Sequence, residues 1–146
     1  MIFFNAILIG FIGGLLGCLF DITIRFLSNK NYTIDKKEWF KLFLNFPVYF
    51  TGFFLIFWLS KIQFLHYITF WPITIIAGGI ICSGIELAFG LLYNKVLKLN
   101  VWDYSWVRIG KIILNLWGQI SVLHGVLWGL LTPVCFIIIK FLEKLF

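Results

Sequence analysis

The chain has 146 residues, 62% of them hydrophobic and only 12% charged, with a mean hydropathy of +1.01. A soluble domain carries roughly twice that charge, so this composition excludes a water-soluble globular domain. The net charge of +6 is split among short connections, which speaks for contact with anionic lipid headgroups and against nucleic-acid binding.

A hydrocarbon core ~30 Å thick takes about 20 apolar residues per helix. Four such runs occur, near Ile2–Phe26, Phe40–Ser60, Ile68–Leu92 and Ile112–Ile139. The expected fold is all-α: one transmembrane domain over residues 1–146, with four helices arranged as two pseudo-symmetric helical hairpins.

The first run lacks a basic leader and a small-x-small cleavage site, and so reads as a spanning helix and not as a signal peptide. Its Gly10, Gly14, Gly17 and Asp21 fall on one helical face. Small residues at this spacing let backbones approach closely, but they do not explain the acid. A carboxylate in lipid costs a few kcal/mol unless it finds a partner or a wet cavity. Asp21 therefore reads either as a functional acid or as a boundary pair with Arg25, one turn later, whose head reaches the headgroups.

The second helix carries Asn45, Tyr49 and Gly52 at matching spacing. Asn45 is a partner for an intramembrane acid or, with Pro47 close behind it, a helix cap. On the third helix Gly79, Ser83, Glu86 and Gly90 form a stripe, with Pro72 near the start, where a missing N–H is harmless. Glu86 has no cation within a turn, and Lys95 lies nine residues on. It is expected to face the protein interior and to be the most function-sensitive side chain.

Trp102, Asp103, Tyr104 and Ser105, followed by Arg108, suit the headgroup layer, where amphipathic rings settle. The stretch Trp102–Ile113 is expected at the interface, partly as a short amphipathic helix. The fourth run places Asn115, Gly118, Gln119, Val122, Gly125 and Gly129 on one stripe, and Pro133 is expected to kink it near Gly129. Asn115 or Gln119 is the expected hydrogen-bond partner of Glu86.

The halves resemble each other. Asp21 and Glu86 are 65 residues apart, as are Gly14 and Gly79, while Lys41–Asn45 and Lys111–Asn115 match at an offset of 70. The expected units are about 1–64 and 65–146, parallel repeats related by an axis along the membrane normal. Arg25, Lys30, Lys36, Lys37, Lys41, Lys95, Lys98, Arg108 and Lys111 flank the first and third connections, against Lys61, Lys140 and Lys144 on the other side. That bias puts loops 28–37 and 94–111 in the cytoplasm of a bacterial plasma membrane, with both termini outside.

Cys18, Cys82 and Cys135 are isolated in apolar runs and read as small hydrophobes. His66 and His124 lack ligand spacing, and no serine or cysteine shows a base partner. No metal site, catalytic residue or cofactor is expected.

Glu86 in its glycine-containing helix, Trp102-Asp103-Tyr104-Ser105, Asn115-Leu116-Trp117-Gly118-Gln119-Ile120 and Trp128-Gly129 together resemble the ABC-transporter type IV, or CmpB-like, membrane proteins. The resemblance runs over roughly residues 78–132. In the first half it reaches only the Asp21 helix, where the family more often has Glu. The family name implies a permease, yet the chain has no Walker A motif, so an ATP-driven role needs a separate subunit. The leading reading is a small transporter or permease-like component that handles a cation, proton or small substrate through Glu86, Asp21, Asn115, Gln119 and Asn45. An accessory, lipid-interacting membrane protein with a structural polar cluster is the alternative, and an intramembrane carboxylate enzyme ranks last. The expected partners are membrane lipids and a second copy or a partner membrane subunit.

Overall fold

The computed structural model describes residues 2–28, 33–62, 71–109 and 112–145. Within them are four helices, α1 (Ile2–Ser28), α2 (Lys36–Ser60), α3 (Trp71–Gly90) and α4 (Val122–Glu143). Each is long and apolar enough to cross a membrane. A π-helical turn, Leu91–Val96, extends α3.

The helix ends follow local chemistry. Asp35 caps α2 by accepting the Glu38 backbone N–H at 2.8 Å, so the helix starts a turn before the expected Phe40. Asn45 thus lies inside α2, not at its cap. The expected start of the third helix at Ile68, and His66 in the connection before it, lie outside the described residues. Pro72 is the second residue of α3, as expected for its missing donor.

The fourth helix differs most from expectation. It begins at Val122, ten residues after Ile112, and Ser121 caps it by accepting the His124 N–H. Residues 112–121 instead form two-residue antiparallel ladders. β1 (Arg108–Ile109) pairs with β2 (Ile112–Ile113), and β3 (Asn115–Leu116) pairs with β4 (Ile120–Ser121). The Asn115 side chain accepts the Gly118 N–H at 3.0 Å, and Trp117 and Gly118 hold φ of 53° and 72°. A side chain that bonds its own backbone beside a left-handed pair of residues competes directly with helix. The expected stripe of Asn115, Gly118 and Gln119 on a fourth helix, and the amphipathic helix within Trp102–Ile113, are therefore both replaced by a folded, non-helical cap. The matching helices around Asn45 and Asn115 fail with them, since only Asn45 is helical. Lys111 lies outside the described residues.

Two antiparallel pairs make the bundle. Phe3 meets Phe54, Phe11 meets Phe46, and Asp21 meets Asn45, which runs α2 back along α1. Likewise Gly78 meets Thr132, Ser83 meets Gly125 and Glu86 meets Trp128, which runs α4 back along α3. Contacts from α2 to α3 and α4 join the pairs. Lipid offers no hydrophobic drive for helix pairing, so close packing of small residues must hold each pair. At Gly13 a Cβ would lie 2.0 Å from the Phe53 ring, and at Gly78, 65 residues on, 1.9 Å from Thr132 Oγ1. The outer faces, with Ile80, Ile137 and Phe43 largely exposed, suit hydrocarbon.

The core is layered. Ala6, Ile9, Ile56, Phe57, Phe136 and Ile139 form a buried apolar block toward the end that carries both termini. Polar side chains gather at the other end, where Tyr93 and Val101 pack with Val48 and Ile85.

Candidate functional site: an intramembrane acid under a folded cap

The C-terminal end of α1, the N-terminal end of α2, the C-terminal half of α3 and the start of α4 converge on a cavity of about 90 Å³. Asp21, Arg25, Asn45, Tyr49, Glu86, Tyr104 and Trp128 are among the residues lining it. Both intramembrane acids thus border one space. Their electrostatics are opposite.

Asp21 is compensated. Arg25 donates to both its oxygens at 3.1 Å, and Asn45 adds a third bond at 3.0 Å. Arg25 also reaches Glu38 at 2.7 Å, and Lys41 closes on Glu38 at 3.0 Å. Two acids and two bases alternate along this partly exposed ladder, the arrangement in which a charge costs least near a headgroup boundary. The boundary pair expected for Asp21 is present, and the amide of Asn45 completes it.

Among the described residues no cation pairs with Glu86. Only 7% of its surface is exposed. Its Oε1 accepts the Trp128 indole N–H at 2.9 Å and the Tyr104 hydroxyl at 3.4 Å. Its Oε2 is buried and has no hydrogen-bond partner among the described residues. A carboxylate oxygen in that position forgoes roughly 1–3 kcal/mol of hydrogen bonding. The expected partners Asn115 and Gln119 do not touch it, because both belong to the cap and not to α4. Asn115 bonds the Gly118 N–H and the Val107 carbonyl. Gln119 accepts from Asn94 and donates to the Trp117 carbonyl.

The cap supplies what the fourth helix was expected to supply. Tyr104 N–H is fixed by the Gly118 carbonyl at 2.8 Å, and its ring lies 4.1 Å from that of His124. Its phenol is thereby held at Glu86. Burial first, and then the nearby Glu86 carboxylate, push the Tyr104 phenol far above its ordinary value, so it stays a donor. Asp103 accepts from the Ser105 N–H and Oγ, both at 2.8 Å, which holds its carboxyl below the usual carboxylate range. Gly118 fits closely here, since a Cβ would lie 2.6 Å from Asp103 Oδ1. Trp106 and Trp117 point outward, 70% and 64% exposed, as rings at a headgroup layer do. The Arg108 side chain lies outside the described residues.

Sequence reasoning missed Tyr104 and Trp128 as direct partners of Glu86, and it did not single out Asn94. Trp128 stands within the Trp-Gly pair of α4 next to the small-residue stripe. Asn94 is a lone amide at the end of an apolar run, and such an amide must be bonded. Both were visible as polar groups without an assigned partner. No cluster of potential metal ligands occurs among the described residues.

The family model described as Putative ABC-transporter type IV matches residues 8–146. No curated protein and no solved structure matches the chain.

Proposed function

The chain belongs to the ABC-transporter type IV (CmpB) family, and from that premise we propose that it is a small membrane transport component in which Glu86 binds and releases a proton or a small cation. One observation carries this reading. Glu86 is an acid buried in a membrane bundle, with one oxygen unbonded among the described residues, on the wall of a cavity roomy enough for a few waters. An acid kept only for packing would have both oxygens bonded or a cation beside it, as Asp21 has.

In this reading Asp21, Arg25 and Asn45 form a fixed wall, and Tyr104 and Trp128 hold the working carboxylate in place. The two hairpins, about 1–64 and 65–146, act as pseudo-symmetric units with the cavity between them. The end rich in Lys and Arg faces the cytoplasm of a bacterial plasma membrane. Four helices enclose little volume, so a second copy or a partner membrane subunit completes the transport path, and any ATPase is a separate chain.

Dicyclohexylcarbodiimide, which reaches intramembrane sites from lipid and reacts with protonated carboxyls, tests this on the reconstituted protein. Peptide mass mapping is expected to find the adduct on Glu86, and its formation to slow as pH rises; slowing by sodium at fixed pH would mark the bound species as a metal cation instead of a proton. A folded protein whose Glu86 stays unmodified from acid to alkaline pH would refute the reading.

A further inference from the structure

A second, wider space adjoins the Glu86 cavity. This basin of about 810 Å³ lies among Lys41, Lys95, Asn100, Asp103, Asn115 and Trp117. Val101 and Trp102 line both the basin and the 90 Å³ cavity. The two spaces therefore share a thin wall made of two consecutive residues, and the only large side chain in it is the Trp102 indole.

That wall is tied down from several sides. The Trp102 indole N–H donates to the Gln119 carbonyl at 3.0 Å. Asn94 donates to the Trp102 carbonyl at 2.7 Å and to Gln119 Oε1 at 2.8 Å, and accepts the Val101 N–H at 2.7 Å. One amide thus fastens both residues of the wall and the residue that holds the indole. Asn94 is placed to do so by the π-helical turn Leu91–Val96, a local widening that is common at functional positions. Gly90 lets the Gln119 side chain seat, since a Cβ there would lie 2.8 Å from its Oε1 and 3.0 Å from its Cβ. Tyr93 braces the ring edge-on.

We propose that Trp102 is the specificity-determining residue of the Glu86 site and that Asn94 is its positioning residue. Resting on the reading of Glu86 given above, this assigns the solute as water and the proton it carries. The basin has room for larger molecules, and the cavity behind the indole has room only for water-sized ones. Lys95 is an exposed cation on the basin wall and the Asp103 carboxylate lies on the same wall, so the basin carries no net negative charge that would gather metal cations. A proton passed between waters needs no such charge.

The test compares two carbodiimides on the reconstituted protein. Water-soluble ethyl-(dimethylaminopropyl)carbodiimide comes from the aqueous side, where the basin lies against the indole wall, and dicyclohexylcarbodiimide arrives through lipid. Trp102→Ala is expected to speed Glu86 modification by the soluble reagent by about tenfold or more, and Asn94→Ala by a few-fold, as the wall opens locally. The lipid-borne reaction is expected to stay within about twofold of wild type in both variants, which a general loosening of the fold would not permit. Should Trp102→Ala fail to fold, Trp102→Phe keeps the ring, loses the bond to Gln119, and is expected to show a smaller rise. Equal soluble-reagent rates in the folded variants and wild type, with normal lipid-borne labelling, would overturn the wall. Protection by sodium at fixed pH would overturn the assignment to a proton. Absence of lipid-borne labelling at Glu86 would instead remove the site itself.

Discussion

Glu86→Gln is expected to yield a folded protein that has lost proton- or cation-driven flux in liposomes. The amide is isosteric and still accepts the Trp128 N–H through its carbonyl. It exchanges a charge-assisted bond, worth roughly 1.5–3 kcal/mol, for a neutral one near 1 kcal/mol, and it also removes the cost of holding a charge in lipid. The two changes offset, so thermal stability in mild detergent should move by less than about 1 kcal/mol. Glu86→Ala behaves differently. It strands the indole N–H in a buried site and opens a void, at roughly 2–4 kcal/mol. Loss of flux in both variants with loss of stability only in the second would separate a working carboxylate from a structural one. Full flux in Glu86→Gln would make Glu86 a packing acceptor.

Gly78→Ala is expected to cost roughly 1–3 kcal/mol even though alanine is the better helix former. The added Cβ would sit 1.9 Å from Thr132 Oγ1, and also 2.6 Å from Thr132 Cβ. Because the second contact is to the branch point, no rotation of Thr132 relieves the clash, and α3 and α4 must separate. At the neighbouring Gly79 a Cβ would lie 2.8 Å from the Gly125 carbonyl, so the backbones have little room to slide. Gly84 provides the internal control on the same helix. A Cβ there meets nothing within 4 Å, and Gly84→Ala should be neutral or stabilise by up to about 1 kcal/mol. Opposite signs for the two variants in thermal unfolding would establish that the small-residue stripe holds the second pair together. Equal effects would mean that helix propensity alone governs both positions.

The membrane class and four-helix fold were legible because they rest on composition and run length, which lipid selects directly. The small-residue stripes of α1 and α3 were legible for the same reason. Periodicity shows one face, and that face packs against the paired helix in each case. The boundary of α4 was not legible. Residues 112–121 are apolar enough to extend a spanning helix, and hydropathy cannot see that Asn115 bonds the Gly118 N–H or that Trp117 takes a left-handed conformation. That error carried the site with it. Once Asn115 and Gln119 leave the helix, Glu86 must find other donors, and it finds one on α4 and one in the cap. Of the two readings the sequence left open for Asp21, the pair with Arg25 is the one the structure shows, because an i, i+4 ion pair is local and needs no knowledge of the fold. Tyr104 depends on a chain reversal of 18 residues, which no pattern in the sequence encodes.

Infrared difference spectroscopy between acid and alkaline pH tests the central claim most directly, with wild-type protein compared against Glu86→Gln and Asp21→Asn in lipid. The expected result is a protonated-carboxyl band that disappears as pH rises in wild type and in Asp21→Asn but is absent from Glu86→Gln. A difference spectrum that Glu86→Gln leaves unchanged would mean that Glu86 keeps one protonation state throughout, and would contradict its role as the site of exchange.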